Sequence, residues 1–300
     1  MGPIKILLTG STGFIGSKVL EYFSHRSKYS ITCINRRSVQ SRFEERNIVI
    51  DLNDRIQTHE KLKDASFDVV VHLAGESIAT TDGGEDLSVY RSNVVGLTNL
   101  LESLDKTENL KKFIFFSTSH VYSKTQPNLT LDTEIKPESP YAISKSMCEL
   151  LLYGVQKKYN FSAFILRCSN IYGDSDPNSE RIVPTIVNSL KKDLVAELKS
   201  PLDTGRDYLN FRDLNDLLEK ILDKDVEKGV YSAFNVGSGV VTKIEEIIKI
   251  SEEITGTHLK IKNLGGKIGG DQFALDISKT SEAFDWMPRI SMNEGLKSLF

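Results

Sequence analysis

The sequence predicts an α/β protein with a doubly wound parallel sheet and a smaller C-terminal lobe. Three observations support this. Short apolar segments alternate with helix-length amphipathic ones, and a glycine-rich turn follows the first apolar segment. After about residue 170 the sequence becomes polar and rich in turn-forming residues. Continuous apolar strands separated by helices are typical of a parallel sheet covered on both faces. A chain of 300 residues is long enough for a large domain and a smaller lobe.

The strands of the sheet are predicted from short runs of β-branched and other apolar residues. They lie at 4–9, 30–35, 47–51, 67–74, 112–117 and 162–168. Helices are predicted between them at 14–26, 85–106 and 139–159. In the last helix, apolar residues can form one stripe, and Pro140 lies in the first turn, where proline is tolerated.

The C-terminal part begins with a polar, turn-rich segment, "IYGDSDPNSER". Helices are predicted after it at 181–192, 214–223 and 242–256, and strands at 207–211 and 232–237. We therefore predict a sheet domain over 1–170 and a lobe mainly over 171–300, with segments around 206–237 returning to the sheet domain. The strand at 232–237 is the one expected to rejoin the main sheet.

Composition excludes several classes of protein. The net charge of −3 and the lack of a basic stripe argue against a nucleic-acid partner. No apolar run reaches the roughly 18 residues of a membrane span, and the N-terminal run "IKILL" is too short for a signal peptide. The three cysteines show neither disulfide nor metal-ligand spacing, so we expect no metal and a cytoplasmic protein.

The glycine-rich turn predicts a dinucleotide site. Gly10, Gly13 and Gly16 lie between the first strand and the first helix. Glycines let the backbone approach a pyrophosphate, and the helix N-terminus offers free N–H groups and a positive dipole end. A structural glycine turn is the alternative, but the strand-turn-helix context favours the dinucleotide. The residues of the turn expected to bind cofactor are Gly10, Thr12, Gly13, Phe14, Ile15 and Gly16.

The end of the second strand favours NADP over NAD. An acidic residue at this place would bind the adenosine ribose, but the sequence has Asn35, Arg36 and Arg37. An arginine here can hold a 2′-phosphate. The alternative is that both arginines are exposed loop charges, so NAD stays possible.

The pattern Tyr-x-x-x-Lys occurs twice in one predicted helix, at Tyr141 and Lys145 and again at Tyr153 and Lys157. Residues spaced by four lie on one helix face, so either pair could transfer protons. Tyr141 starts the helix, where its side chain can face the strand ends. Tyr153 lies more than three turns further along and is better explained by packing in the core or in an interface.

The motifs "HLAG", "STSHVY", "PYAISK" and "LRCSNIYG" follow the glycine turn in order. With "GRDYLNFRDLNDLL", "FNVGSG" and the C-terminal "FDWMPRISMNEGLKSLF", the chain resembles the extended short-chain dehydrogenase/reductase family over nearly its whole length. The resemblance implies a Rossmann domain, a substrate-binding lobe and NAD(P)-dependent chemistry on nucleotide sugars, as in the epimerases, dehydratases and reductases of the family.

The resemblance also implies the catalytic residues. Thr118 matches the family's Ser/Thr, Tyr141 its acid/base and Lys145 the partner of that tyrosine, whose pKa the ammonium lowers. Tyr141 follows Thr118 by 141 − 118 = 23 residues. Ser119 is the hydroxyl that a shifted alignment would select.

Further binding residues follow from the same resemblance. Asp51 and Leu52 would contact adenine, and Asn93 would help to position the active-site helix or the nicotinamide. Leu73, Ala74 and Gly75 would border the phosphates and ribose. The substrate residues would be Ser119, His120, Asn170 and Arg206.

Two features of the substrate region bear on the reaction. Ser119 and His120 stand where the family's 4,6-dehydratases have Asp-Glu, so a dehydratase is not expected. His120 could act as an acid/base or could only shape the pocket. Arg206 would grip a nucleotide diphosphate, although Asn210 and Arg212 depart from the family's pattern and "KIGGDQF" keeps Asp271 without the usual arginine.

The main hypothesis is an NADP-dependent reductase of a nucleotide-linked 4-keto-6-deoxy-sugar. The first alternative is a nucleotide-sugar 4-epimerase with tightly bound NAD(P). The second is a non-catalytic NADP-binding regulator, against which the intact catalytic residues argue. A homodimer through helices 85–106 and 139–159 is expected from the family.

Overall fold

The computed structural model describes residues 2–38, 46–76, 87–104, 109–124, 126–265 and 269–300. The chain divides into two compact units. Unit 1 comprises Met1–Ser123, Glu134–Arg167 and Leu222–Phe234, and unit 2 comprises Lys124–Thr133, Cys168–Ile221 and Asn235–Phe300. The domain limits drawn at residue 170 from the sequence stay a prediction.

Strands and helices are numbered along the chain. The strands are β1 Ile4–Thr9, β2 Tyr29–Asn35, β3 Arg46–Val49, β4 Val69–His72, β5 Lys112–Thr118, β6 Asn128–Leu129, β7 Ser162–Cys168, β8 Asn170–Tyr172, β9 Val195–Leu198, β10 Gly205–Asn210, β11 Tyr231–Val236, β12 Val241–Lys243, β13 Lys260–Asn263 and β14 Ala274–Leu275. The helices are α1 Phe14–Ser24, α2 Arg55–Leu62, α3 Ser88–Tyr90, α4 Gly96–Ser103, α5 Pro140–Val155, α6 Ile182–Lys192, α7 Phe211–Asp223, α8 Ile244–Thr255, α9 Ser278–Phe284 and α10 Met292–Lys297.

The main sheet has seven strands in the order β11-β7-β5-β4-β1-β2-β3. The pairs β1/β2, β1/β4, β2/β3 and β4/β5 are parallel. The chain runs outward from β1 through β2 to β3 and then continues at β4 on the other side of β1. The strand order therefore reverses between β1 and β4, which is where ligands bind in open sheets of this type. The predicted doubly wound parallel sheet is confirmed, and β11 joins it as predicted for 232–237.

The middle of the sheet is buried on both faces, as its apolar sequence requires. Every residue of β4, β5 and β7 is buried. The core of unit 1 gathers side chains of the sheet and of the helices that cover it, including Leu7, Val70, Leu97, Phe113 and Leu152. This rigid centre fixes the strand ends at which the candidate site lies.

Three helical features differ from the sequence prediction. The segment predicted as one helix at 85–106 contains α3, a π-helical turn at Arg91–Val95 and α4, while residues 85–86 and 105–106 lie outside the described part of the chain. Helix α5 ends at Val155 rather than at 159. Helix α2 was not predicted, because "RIQTHEKL" has few apolar residues; its N-terminus is instead capped by the Asp54 side chain, which accepts a hydrogen bond from the Gln57 N–H.

Unit 2 is built on smaller sheets. In the sheet β12-β10-β8, β10 pairs parallel with β8 and antiparallel with β12. Strands β9 and β13 form a parallel pair, and so do β6 and β14. The core of this unit lies among α6, α8, α10 and these strands, with Ile186, Ile247 and Leu296 fully buried. Among the described residues, no helix has the length and apolar character needed to cross a membrane.

Candidate active site

The glycine turn has a backbone shape that only glycine permits. Gly10 has φ +75°, in the left-handed region, and a Cβ there would lie 2.7 Å from the Ala74 nitrogen. A Cβ on Gly16 would collide with the Gly10 carbonyl oxygen. The Gly13 N–H donates to that same oxygen at 3.0 Å and closes the turn. All three glycines of the motif are therefore fixed by close backbone contacts.

The turn and the start of α1 fit a bound pyrophosphate. Thr12 and Gly13 are exposed, and Ile15 is half-buried, whereas Phe14 is buried in the core. No side chain caps the N-terminus of α1, and its first turn contains no acidic residue. The N–H groups at this end of the helix can thus donate hydrogen bonds to the pyrophosphate of a dinucleotide.

Asn35 at the end of β2 supports the turn through its side chain. Its Oδ1 accepts a hydrogen bond from Ser11 Oγ at 2.8 Å, and its Nδ2 donates to Asn47 Oδ1 at 2.8 Å. Arg36 and Arg37 follow it and are exposed. The amide of Asn35 thus holds neighbouring chain segments together, while Arg36 and Arg37 are accessible cations directly after β2.

The loops after β3 and β4 complete the edge on which the turn lies. Asp51 is exposed, and the carbonyl of the buried Leu52 accepts a hydrogen bond from Asn99 at 2.7 Å. After β4, the Leu73 N–H donates to the Thr9 carbonyl and the Ala74 N–H to Thr9 Oγ1. A Cβ at Gly75 would lie 2.5 Å from Asn93 Oδ1, so this loop packs tightly against the π-helical turn.

Asn93 joins the loop after β4 to helix α5. Its Oδ1 accepts from the Glu76 N–H at 2.8 Å, and its Nδ2 donates to Ser144 Oγ at 2.8 Å and to the Glu76 carbonyl at 3.2 Å. The side chain is 2% exposed. A buried amide with all three bonds made fixes the position of α5. The role of Asn93 in positioning the active-site helix or the nicotinamide stays a prediction.

Thr118 and its neighbours follow β5 directly. Thr118 and Ser119 are buried, and His120 is half-buried. Thr118 Oγ1 accepts a hydrogen bond from the His120 N–H at 3.2 Å and so caps the short 3₁₀ turn Ser119–Val121. This bond leaves the Thr118 hydroxyl proton available to donate to a substrate oxygen.

Tyr141 and Lys145 lie one turn apart near the start of α5. Ser139 caps the helix by accepting from the Ala142 N–H, and Pro140 occupies its first position. Tyr141 is half-buried and Lys145 is 6% exposed. Lys145 Nζ donates to the Phe116 carbonyl at 2.8 Å and lies 6.0 Å from the centroid of the Tyr141 ring. The structure thus brings this ammonium beside Tyr141 and the end of β5.

His72 is a buried neighbour of the site that sequence reasoning missed. Burial, together with the charge of Lys145, lowers the pKa of His72 to about 3, so the ring is neutral at pH 7. Its Nδ1 lies 2.9 Å from Thr9 Oγ1, which also accepts from Ala74. A polar residue at the end of the apolar run "FDVVVH" was the available signal.

A second missed feature is a buried ion pair. Arg167 Nη2 donates to Glu149 Oε2 at 2.7 Å, and Arg167 Nε lies 3.2 Å from both oxygens of the same carboxylate. Ser117 Oγ donates to Glu149 Oε1, and Arg167 Nη1 donates to Tyr122 OH at 3.0 Å. The signals were one arginine in the apolar strand "SAFILRC" and one glutamate four residues after Lys145.

Asn170 and Arg206 belong to unit 2. Asn170 begins β8 and pairs with Tyr208 of β10. Arg206 Nη2 donates to Asp271 Oδ1 at 2.6 Å, and its guanidinium lies 4.6 Å from the centroid of the Phe273 ring. Burial acts to raise the Asp271 pKa, but the hydrogen bond and charge of Arg206 outweigh it and hold that pKa below its usual range. Asp271, which lacks the usual neighbouring arginine in sequence, thus pairs with Arg206.

The described residues contain neither a cluster of metal ligands nor an exposed cysteine. No group of three or more His, Cys, Asp or Glu side chains among them is arranged to hold a metal ion. Cys33, Cys148 and Cys168 are all buried.

Comparison with known proteins places this geometry in a family. The model of the NAD dependent epimerase/dehydratase family matches residues 6–237. A UDP-glucose 4-epimerase of Mycoplasma pneumoniae is 26% identical over 97% of this chain and 94% of its own. A dTDP-glucose 4,6-dehydratase of Salmonella typhimurium is 24% identical over 98% of this chain and 91% of its own.

The fold comparison agrees. The crystal structure of a UDP-glucuronic acid 4-epimerase from Bacillus cereus, in complex with UDP-glucuronic acid and NAD, superposes with a TM-score of 0.86. The two chains are 26% identical, and the match covers 98% of this chain and 97% of the epimerase chain. The resemblance drawn from the sequence and the prediction of an NAD(P)-dependent enzyme are therefore confirmed: the chain belongs to the NAD dependent epimerase/dehydratase family.

Proposed function

We propose that this protein is an NAD-dependent 4-epimerase of a nucleotide-linked sugar. The observation that carries the proposal is that Lys145 Nζ donates to the Phe116 carbonyl of β5, the strand that ends at Thr118, and lies 6.0 Å from the centroid of the Tyr141 ring. Full-length similarity to a UDP-glucuronic acid 4-epimerase and a UDP-glucose 4-epimerase supports the choice of reaction and substrate class.

The residues of this chain supply proton transfer at the sugar's 4-oxygen. NAD, when bound, supplies the hydride acceptor. Tyr141, as phenolate, takes the proton from the 4-hydroxyl and later returns it to the same oxygen. The Lys145 ammonium favours the phenolate, and the Thr118 hydroxyl donates a hydrogen bond to the reacting oxygen. His72 is buried and neutral at pH 7, so Lys145 supplies the positive charge beside Tyr141.

The choice between reactions depends on Ser119 and His120. Neither is a carboxylic acid, so the pair cannot perform the acid-base elimination that the sequence resemblance assigns to Asp-Glu in dehydratases. An epimerase needs no second acid or base at this place, because Tyr141 serves both directions. His120 then shapes the sugar pocket, and Ser119 lines it.

The reductase predicted first is the second candidate. Arg36 and Arg37 favour it, because exposed cations after β2 suit a 2′-phosphate and net reduction commonly consumes NADPH. Against it, a structural neighbour binds NAD, and the matching family is named for NAD. We therefore propose NAD as the resident cofactor, held by the glycine turn, with Arg36 and Arg37 as surface charges.

We also propose a homodimer in which α5 contributes to the interface. Met147, Leu150 and Tyr153 are 43%, 71% and 63% exposed along this helix. Large apolar side chains clustered on one exposed helix are typical of an interaction surface. Asn170 and Arg206 are proposed to bind the substrate's diphosphate region, with Asp271 fixing the orientation of the guanidinium.

An assay with purified protein separates the two enzyme hypotheses. UDP-glucose and UDP-glucuronic acid are incubated without added cofactor, and the sugar products are resolved by NMR. We expect interconversion of 4-epimers, and we expect NAD to be released when the protein is denatured. Consumption of NADPH with a 4-keto-6-deoxy-sugar nucleotide, without epimerisation of either UDP-sugar, would contradict the epimerase and select the reductase.

A further inference from the structure

The ion pair of Glu149 and Arg167 is attached to the same helix and strand, α5 and β5, as the candidate catalytic residues. Tyr141, Lys145 and Glu149 are spaced by four along α5 and so share one face of the helix. Lys145 and Glu149 are 6% and 5% exposed. Both hold the last residues of β5: Lys145 Nζ donates to the Phe116 carbonyl, and Glu149 accepts from Ser117 Oγ. Thr118 is the next residue along that strand.

Spacing alone would also allow an ion pair between Lys145 and Glu149. Lysine and glutamate four residues apart on a helix are natural partners, and a buried carboxylate needs a cation nearby. Here Arg167, from β7, contacts both oxygens of the Glu149 carboxylate, with its Nη2 2.7 Å from Oε2. A planar guanidinium can donate two parallel hydrogen bonds to the two oxygens of a carboxylate, whereas an ammonium acts as a point charge.

We propose that Arg167 is a positioning residue: by engaging the Glu149 carboxylate, it keeps that carboxylate from drawing the Lys145 ammonium away from Phe116 and Tyr141. This inference rests on the proposed function and deepens it. The acid/base residue Tyr141 depends on the positive charge beside it, so a remote arginine sets how readily the phenol ionises. Arg167 acts through Glu149 and Lys145 and is not itself catalytic.

Among the described residues, His72, Cys148 and Tyr231 interact electrostatically with Lys145 or Glu149 and carry no charge at pH 7. From β4, His72 is neutral because burial and the charge of Lys145 lower its pKa to about 3. On α5, burial raises the pKa of Cys148 to about 12 despite the charge of Lys145. From β11, burial and the charge of Glu149 raise the pKa of Tyr231. Tyr122 accepts a hydrogen bond from Arg167.

The test is a set of substitutions read by the ionisation of Tyr141. Arg167→Met removes the guanidinium, so the Glu149 carboxylate can then attract the Lys145 ammonium. Glu149→Gln removes the competing charge, and the double variant removes both. Each protein is titrated in the near ultraviolet with and without Tyr141→Phe, and the difference isolates the phenolate of Tyr141. This readout needs neither cofactor nor substrate.

We expect Arg167→Met to move the ionisation of Tyr141 to higher pH and to lower kcat at neutral pH about tenfold with little change in KM. Glu149→Gln alone should not raise the pH of ionisation. The double variant should restore both the titration and kcat towards the wild type. A packing role alone predicts the opposite pattern, in which both single variants lose activity and the double variant loses more.

Two outcomes would overturn the inference: an unchanged Tyr141 titration in folded Arg167→Met, or an equal rise in Glu149→Gln. If Arg167→Met does not fold, Arg167→Lys decides, because a point charge engages the carboxylate less completely and should move the titration in the same direction by a smaller amount. A wild type that titrates as expected but epimerises no sugar nucleotide would refute the proposed function and leave this inference standing.

Discussion

The Tyr-x-x-x-Lys motif occurs in two surroundings, once at the start of helix α5 and once across its C-terminal end. Tyr141 and Lys145 lie at its start, where Lys145 is buried and bonded to the Phe116 carbonyl. Tyr153 lies near its end and is 63% exposed, and Lys157 follows the helix in an exposed turn. The second tyrosine makes an edge contact with Tyr231 at 5.3 Å between ring centroids. Spacing is identical in both pairs, so spacing alone does not define a proton-transfer site.

The difference lies in what each pair meets across the helix. Lys145 of the first pair lies against the end of β5, where it donates to the Phe116 carbonyl, lies 4.7 Å from the centroid of the Phe115 ring and is 6% exposed. Charge–charge interactions are far stronger in such surroundings than in water. At the second pair the lysine is exposed, so its charge is screened and has little effect on a phenol. Burial beside a strand end turns a common spacing into a candidate catalytic pair.

The largest expected effect separates the two tyrosines. Tyr141→Phe removes the proton donor and acceptor, so kcat should fall by about 10²–10⁴-fold, the usual contribution of acid-base catalysis. Tyr153→Phe removes an equivalent hydroxyl from the exposed end and should leave kcat within about twofold, because that hydroxyl has no role in the chemistry. Initial rates of epimerisation with saturating sugar nucleotide measure both.

Binding of NAD, followed by fluorescence or calorimetry, is the control for Tyr141→Phe and should be largely retained. Equal losses of kcat in the two variants would show that the contrast between the two ends of α5 has no catalytic meaning.

Much of this contrast was predictable from the sequence. The succession of strands and helices along the chain, the glycine turn and the distance from Thr118 to Tyr141 follow from periodicity, backbone chemistry and the resemblance to a family. In the structure, Lys145 Nζ donates to the Phe116 carbonyl near the end of β5. Tyr153 was assigned to packing in the core or in an interface; its exposure excludes the core.

The partners of the site were not predictable. Whether His72, Glu149 and Arg167 point into the site depends on which strands become neighbours, here β4, β5 and β7, and sequence spacing does not contain that order. The π-helical turn that positions Asn93 was missed for a related reason, since an amphipathic pattern does not distinguish a π turn from an α turn. Helix α2 lacks an apolar stripe and depends on its Asp54 cap.

The next expected effect concerns the exposed end of α5. Leu150→Glu places a charge on the apolar surface that we propose to be a dimer interface, and a buried charge without a partner should weaken association by roughly 3 kcal/mol, more than a hundredfold in Kd. Ile56→Glu on α2 is the matched control, because Ile56 is 72% exposed and Leu150 71%. Sedimentation across a concentration series measures the change. Equal behaviour of the two variants, or a monomeric wild type, would contradict an interface on α5.

The smallest expected effect concerns His72 and tests whether water is excluded from the surroundings of Tyr141 and Lys145. Its pKa is about 3 in the folded protein, against 6.5 for the unperturbed side chain, because burial and the charge of Lys145 disfavour protonation. The unfolded chain therefore binds this proton first as the pH falls below 6.5, so the free energy of unfolding decreases by up to about 1.4 kcal/mol per pH unit until the folded pKa is reached.

Between pH 7 and about pH 5, His72→Gln should lose roughly 2 kcal/mol less stability than the wild type does. His59→Gln, at an exposed position of α2, should keep the wild-type dependence. Urea unfolding at both pH values measures the difference, and an undiminished loss in His72→Gln would mean that water reaches the ring and that the first pair is no drier than the second.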